Sequence, residues 1–318
     1  MKKVCCTDSR CFDIRCIYGI LSADADSIPF LRQGVNRVEM QPTGIVNSAQ
    51  IMIKDDFEAH HTRDPYFKTI EFHAHDFLEL YLFLDGSVTY YIEDRVYELC
   101  PGDLLIIPPG KMHRPVVSNE RAAYERMVLW VNLEYLAQID TETGTLQQAL
   151  QTVGGNGYYV PLRGDMLVYA ATMFSKITAL QEKGADASMT ASAVRLYLWS
   201  VLEEYSLVES TQSGETEVIP QVIRYITEHF SETITLDDIA AKFFISKSYL
   251  SRHFKAYTNA TVYAYVMALR ITHARRMIRE GVPAAEAGRN CGFSDYSTFY
   301  KAFKAQTGMS PHEFKARI

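Results

Sequence analysis

At 318 residues, with 47% apolar and 22% charged residues, the sequence has the composition of a soluble globular protein of about two domains. It holds no run of ~18 apolar residues, which excludes a transmembrane helix. The net charge of −6 hides an asymmetry: from Val218 onward 14 Lys and Arg face 8 Asp and Glu, a surplus of +6, while the remainder stands at −12. A basic C-terminal part on an acidic body points to a polyanion as the partner of that part.

Residues 1–40 read as a loosely ordered N-terminal extension. Cys5, Cys6, Cys11 and Cys16 crowd into it. A secreted disulfide scaffold spreads its cysteines through the core, and this spacing matches no zinc signature. Asp8, Arg10, Asp13 and Arg15 break up any apolar stretch of a signal peptide, so a cytoplasmic location is expected.

Residues 41–162 form the first domain. From about residue 68 to 132 apolar and polar residues alternate with period two, punctuated by the turns LDGS, EDR, CPGD and PPGK, which predicts an antiparallel sheet or barrel. Within it the string FHAHDFLEL, residues 72–80, holds His73, His75 and Glu79. Strand alternation puts His73, His75, Phe77, Glu79 and Tyr81 on one face, where they share an interior. Imidazole and carboxylate at this spacing suit Zn, Mn, Fe or Ni. His60 and His61, just upstream, read as solvated loop residues.

Residues 163–208 carry two helical patterns, roughly 165–182 and 187–207. On the second, Val194, Leu198, Val201, Leu202 and Tyr205 make an apolar stripe assigned to a dimer interface. The polar stretch ESTQSGETE, residues 209–217, is the linker.

Residues 218–318 are helical throughout and contain a repeat. Ser248 and Ser297, Leu250 and Phe299, Arg252 and Lys301, Phe254 and Phe303, and Lys255 and Lys304 each stand the same 49 residues apart. Each copy has the layout of a helix-turn-helix, at 235–257 and 283–306. In the first, Thr235 and Asp238 form a capping box, Leu236, Ile239 and Ala240 face inward, a turn falls near Phe244, and Ser246 caps the second helix. In the second copy Ser294 is the expected cap. Leu250, Phe254 and Tyr257 line one side of the first outer helix. Ser246, Lys247, Ser248, Ser251, Arg252 and Lys255 gather at its start and on the opposite face. Tyr296, Ser297, Tyr300, Lys301 and Lys304 do the same in the second copy. A helix with one buried face and one basic, hydrogen-bonding face suits the major groove of double-stranded DNA. Residues 261–280 lack Gly and Pro and predict one connecting helix of ~30 Å, close to the ~34 Å between successive major grooves on one side of a duplex.

The stretch GFSDYSTFYKAFKAQTGMSPHEFK, residues 292–315, resembles the signature of the AraC (AraC/XylS) family of bacterial transcription regulators. Gly292, Phe293, Asp295, Ser297, Phe299, Phe303, Lys304, Gly308, Ser310 and Pro311 match it. Ala284, Ala287 and Gly288 stand where the family places two large aliphatics and an Ala, so the first helix of the second copy is expected to pack weakly and that copy to read DNA less strictly. Asn259 replaces the Gly that commonly ends the first outer helix, a mild change because Asn tolerates a left-handed cap. His73, His75, Glu79 and Gly86 resemble the first cupin motif; Gly102, Pro108, Gly110 and His113 resemble the second. That resemblance implies a metal set of His73, His75, Glu79 and His113. The regulator resemblance implies instead an effector pocket lined by His73, His75, Glu79, Tyr81 and His113, a sugar or related metabolite being the family's usual kind of effector. A divalent metal is the one cofactor in question, and both occupants stay open at this point.

The expected architecture is α+β in two domains: a cupin-like antiparallel barrel followed by helices, then an all-α domain of two helix-turn-helix units joined by a long helix. The expected function is a non-enzymatic, effector-controlled, sequence-specific transcription regulator. Its partners would be operator DNA, the effector, a second copy of the chain and RNA polymerase, with no membrane. The alternative is a cupin metalloenzyme with an accessory helical domain.

Overall fold

The computed structural model describes residues 52–64, 70–118, 124–140, 144–155, 157–208 and 218–317. The N-terminal extension with its four cysteines and the linker at 209–217 lie outside the described residues. Among the described residues no helix is long and apolar enough to cross a membrane.

The first domain holds eight strands: β1 (Phe57–Asp64), β2 (Leu78–Asp85), β3 (Val88–Ile92), β4 (Arg95–Leu99), β5 (Asp103–Ile107), β6 (His113–Val117), β7 (Tyr124–Val131) and β8 (Tyr159–Pro161). They form a five-stranded sheet in the order β1-β7-β2-β5-β8 and a three-stranded sheet in the order β4-β3-β6. Every strand pairing is antiparallel. The two sheets enclose one core, with Tyr81, Phe83, Tyr90 and Ile92 at its centre. His60 and His61, expected in a loop, lie on β1 paired against β7. His61 Nε2 reaches Glu125 at 2.8 Å, so a partner across the sheet fixes it.

Short helices α1 (Leu133–Ile139) and α2 (Thr145–Thr152) precede β8, and α3 (Gly164–Lys183) and α4 (Ala187–Leu207) follow it. α3 packs on β1 and α4 on β8. This cover explains why β2 reads LELYLFLD with seven buried residues in a row: its inner face lines the barrel and its outer face lies under helices. It also corrects the dimer assignment. Val194, Leu198, Val201, Leu202 and Tyr205 are all at most 4% exposed, turned into the chain's own core. The large apolar residues α4 leaves exposed are Met189, Leu196 and Leu207.

The second domain comprises α5 (Val218–His229), α6 (Leu236–Lys242), α7 (Lys247–Thr258), α8 (Val262–Arg279), α9 (Ala284–Asn290), α10 (Tyr296–Thr307) and α11 (Pro311–Ala316). The connecting helix α8 has 18 residues, about 27 Å of rise. It serves two cores in succession. Val262, Tyr265, Val266 and Leu269 join Ile239, Leu250 and Phe254 in the first; Ile271, Ala274 and Ile278 join Phe293, Phe299 and Phe303 in the second. Between them Arg270 donates from Nε to Phe230 O, from Nη1 to Gly292 O and from Nη2 to Glu232 O, each at 2.7 Å. One guanidinium thus ties the end of α5 to the turn of the second unit.

Local signals hold with two corrections. The Thr235–Asp238 capping box forms, Ser246 caps α7, and Asn259 ends α7 in the left-handed region at φ 58°. The cap of α10, however, is Asp295, whose carboxylate accepts from Thr298 N; Ser294 Oγ leans on that carboxylate instead. Leu236 is 38% exposed rather than inward, because it is the first residue of α6 and precedes the buried face at Ile239 and Ala240. The small residues of α9 have a packing reason. A Cβ at Gly288 would stand 2.8 Å from Phe299 Cγ, so Phe299 fills the space a larger side chain would occupy.

Candidate functional site

Two sets of residues emerge. In the barrel, the segment carrying His73 and His75 runs beside the start of β6. His73 and His113 pair directly, His73 N donating to His113 O at 3.1 Å and His113 N to His73 O at 2.9 Å. Opposed residues of an antiparallel pair share a face, so both rings point inward. Gly110 N donates to His75 O at 2.8 Å and holds the second histidine in the same frame. Glu79 enters from β2. The four residues are at most 4% exposed.

The ring nitrogens are sorted. His73 Nδ1 faces Glu71 O at 3.1 Å, His75 Nδ1 faces Phe77 O at 2.9 Å, and His113 Nδ1 faces Lys111 O at 2.7 Å. A carbonyl only accepts, so each Nδ1 carries a proton toward it and each ring turns its Nε2 inward. His75 Nε2 lies 2.7 Å, and His113 Nε2 3.4 Å, from Glu79 Oε2. The Nε2 atoms of His73 and His113 are buried with no hydrogen-bond partner among the described residues. Burial, with the His113 ring beside it, pushes His73 down to about 3. Burial also lowers His75, outweighing the neighbouring Glu79 carboxylate. Burial alone would raise Glu79, but the His113 and His75 rings win and hold it below the usual carboxylate range. The result is a cluster in which the His75 and His113 rings converge on one oxygen of Glu79, with His75 Nε2 in hydrogen-bond contact with it and the Nε2 atoms of His73 and His113 unpartnered among the described residues.

That donor set fits a divalent cation. Nε2 of His75 and His113 and an oxygen of Glu79 lie within 4.8 Å of one another. Three imidazoles and a carboxylate are ligands for Zn, Mn, Fe or Ni, and a carbonyl on each Nδ1–H is the outer contact that fixes a metal-binding tautomer. Tyr81, the fifth residue expected at an effector, is displaced from the cluster. Its hydroxyl hydrogen-bonds the Tyr124 hydroxyl and its ring packs 4.8 Å from Tyr90. Tyr90 stacks on His113 at 6.1 Å and Phe77 on His75 at 3.9 Å, so aromatic rings fill the space around the histidines.

The second set lies on the helical domain. Ser246, Lys247, Ser248, Ser251, Arg252 and Lys255 are all exposed on α7 or at its cap. On α10 Tyr296, Ser297, Lys301 and Lys304 are exposed and Tyr300 is half-buried. Leu250 and Phe254, and likewise Phe299 and Phe303, are fully buried beneath them. Each helix therefore presents hydroxyls and cations outward from a rigid base, as a groove-reading helix must.

A third set was not foreseen. Phe72, Ala74 and Met112 of the barrel belong to the core of the first helix-turn-helix unit. Arg114 donates to Tyr257 O and sits 5.1 Å over the Tyr91 ring. Asp76 reaches Arg275 at 3.1 Å and Arg279 at 3.3 Å. Asp94 takes Arg224 at 2.7 Å. The available signal was alternation: the residues between the histidines, odd beside even, had to face something.

Comparison with known proteins agrees with both halves. Residues 56–165 match the family of AraC-like ligand binding domains, and residues 239–317 match a helix-turn-helix domain family. The Msm operon regulatory protein of Streptococcus mutans is 31% identical over 124 residues, 38% of this chain and 45% of that one, so this match spans less than half of the relative. The uncharacterized HTH-type transcriptional regulator YbfI of Bacillus subtilis is 25% identical over 71% of this chain and 79% of its own length. The HTH-type transcriptional activator RhaS of Salmonella schwarzengrund is 24% identical over 76% of this chain and 86% of its own. With an AraC-like ligand binding domain ahead of a repeated helix-turn-helix unit, the chain belongs to the AraC family of transcription regulators and acts as a DNA-binding regulator controlled by a small effector.

Proposed function

We propose that α7 and α10 are the two recognition helices, reading successive major grooves through Ser246, Lys247, Ser248, Ser251, Arg252 and Lys255 and through Tyr296, Ser297, Tyr300, Lys301 and Lys304. The observation that carries this is the shared frame: equivalent outward faces, equivalent buried Leu/Phe and Phe/Phe pairs, and one continuous helix between them. Among these residues Arg252 and Lys301 suit base edges or phosphate, and the cap hydroxyls suit phosphate. The histidine-lined interior of the barrel, with His73, His75, Glu79, Tyr81 and His113, is the effector region of this reading, and the regulator works in the cytoplasm. It acts as a homodimer on paired half-sites, which multiplies two modest affinities. Where the bound protein raises transcription, RNA polymerase is the further partner.

An operator selected from random duplexes, followed by fluorescence anisotropy across ionic strength, tests the reading. Affinity is expected to fall steeply with salt, and Lys255→Ala, at an exposed cation of α7, is expected to reduce the salt slope by about 1. Sedimentation with and without operator reports the dimer. Salt-independent affinity, or no selected sequence, would sink the proposal. A metalloenzyme is the second reading, favoured by the histidine cluster alone. It requires turnover that disappears in His75→Ala, and the basic repeat has no part in it.

A further inference from the structure

The inner and outer faces of one wall belong to different sites. Two segments form it, residues 72–76 and 112–114, joined by the His73–His113 pair. Strand alternation sends His73, His75 and His113 inward. It sends Phe72, Ala74, Asp76, Met112 and Arg114 outward, where they touch the helical domain beside Tyr91 and Asp94. Phe72 lies 5.7 Å from the Tyr265 ring on α8. Asp76, 4% exposed, meets Arg275, 5% exposed, on the same helix. Arg114 holds the last turn of α7 at Tyr257 O.

The wall is thinly held. Residues 72–76 are not part of any strand; among the described residues three backbone hydrogen bonds, two from the His73–His113 pair and one from Gly110 to His75, tie them to the neighbouring segments. On the inner side the three imidazole rings and the Glu79 carboxylate face one another, and one ligand atom each of His75, Glu79 and His113 lies within 4.8 Å of the others. The Nε2 atoms of His73 and His113 are buried without partners. An ion bound there would join the 72–76 segment, β2 and β6 at one point.

We propose that a divalent transition-metal ion held by His73, His75, Glu79 and His113 locks this wall, and that its occupancy sets the seating of the DNA-binding domain through Asp76 and Arg114. The inference rests on the regulator reading and names what its barrel responds to. Nitrogen-rich donors select an ion of the Zn, Mn, Fe or Ni class over Mg or Ca, which want oxygen. Loss of the ion frees the 72–76 segment and with it the contact of Asp76 with Arg275 and Arg279.

The full chain, stripped with chelator, is titrated with Zn(II) and, for its d–d absorption, with Co(II). One ion per chain is expected, with a spectrum of nitrogen and oxygen ligation that His73→Gln and Glu79→Gln each abolish. The His73 change removes one ligand and its single carbonyl contact, so a folded variant is available where Glu79→Gln fails to fold. Hydrogen exchange is then compared with and without Zn(II). Peptides covering 70–77 and 111–114 are expected to slow on binding, and so are those of α8 around Arg275 and Arg279. In Asp76→Asn the ion still binds but the α8 protection is lost. No stoichiometric binding by the folded chain, or Zn(II) retained in both ligand variants, overturns the centre. Binding that leaves α8 exchange unchanged overturns the coupling. Operator affinity of the stripped protein is measured alongside: if DNA binding persists while either part fails, the inference falls and the regulator reading stands.

Discussion

Gly288 shows how a single residue departs from a family pattern without weakening the fold. An alanine there would ordinarily favour the helix by about 1 kcal/mol. Its Cβ, however, would press to 2.8 Å from the ring of Phe299, which is fully buried between Phe293 and Phe303 and cannot retreat. Overpacking a tight core costs about 1–3 kcal/mol, so the clash outweighs the propensity gain. Gly288→Ala is expected to destabilise the protein by up to roughly 2 kcal/mol in urea denaturation, the difference between those terms. A stabilised variant would show that Phe299 has room to move. Arg270 argues the other way, from polar satisfaction. Arg270→Met would keep much of the side-chain stem but leave three carbonyls without their donor. Unmet partners cost about 1–3 kcal/mol each when fully buried, and these lie near the surface, so ~2 kcal/mol in all is expected from thermal or urea unfolding.

At the scale of elements, short-range rules made the helical domain legible. Thr235, Ser246 and Asn259 do locally what their side chains dictate, and the 49-residue repeat announced two equivalent helices before any contact was known. The cap at Asp295 shows the limit. Serine and aspartate are both good caps, and only the backbone geometry decides between adjacent candidates. The stripe on α4 shows another limit. Periodicity says that a face is buried but not against what, and here the chain's own barrel and α3 take it. The small residues of α9 show a third limit, because the side chain that fills the space at Gly288 is Phe299 of the next helix, α10. Equal frames carry equal consequences for binding. Since α7 and α10 rest on cores of the same design, Arg252→Ala and Lys301→Ala are each expected to cost about 1–3 kcal/mol of operator affinity, the range for a base-reading contact. A large inequality in anisotropy titrations would mean that one unit carries the recognition.

For the whole molecule, the decisive feature is the contact between barrel and helical domain. It was the part least readable in the sequence, because it joins residues such as Asp76 and Arg275 that stand 199 positions apart. His273 on α8 lies in that contact, in a small crevice with Asp76, Pro109, Gly110 and Arg276. Its ring stacks on Phe230 at 4.2 Å. Burial, aided by the charges of Arg276 and Lys111, pushes its pKa from 6.5 down to about 4. The sign of the effect follows from linkage. Above pH 6.5 the ring is neutral in both folded and unfolded chains and contributes no pH dependence. As pH falls from 6.5 toward about 4, the unfolded chain takes the proton first, so stability is progressively lost across that window and levels off below it. Other groups titrate there too, which makes a paired comparison necessary. His273→Gln keeps a polar side chain and removes the proton. Its melting temperature is expected to fall less than that of the parent between pH 6.5 and 4, with the two profiles parallel above that window. Parallel profiles throughout would mean that the crevice opens to water before the ring is protonated, and that the contact between the domains is looser than its buried Asp76–Arg275 pair implies.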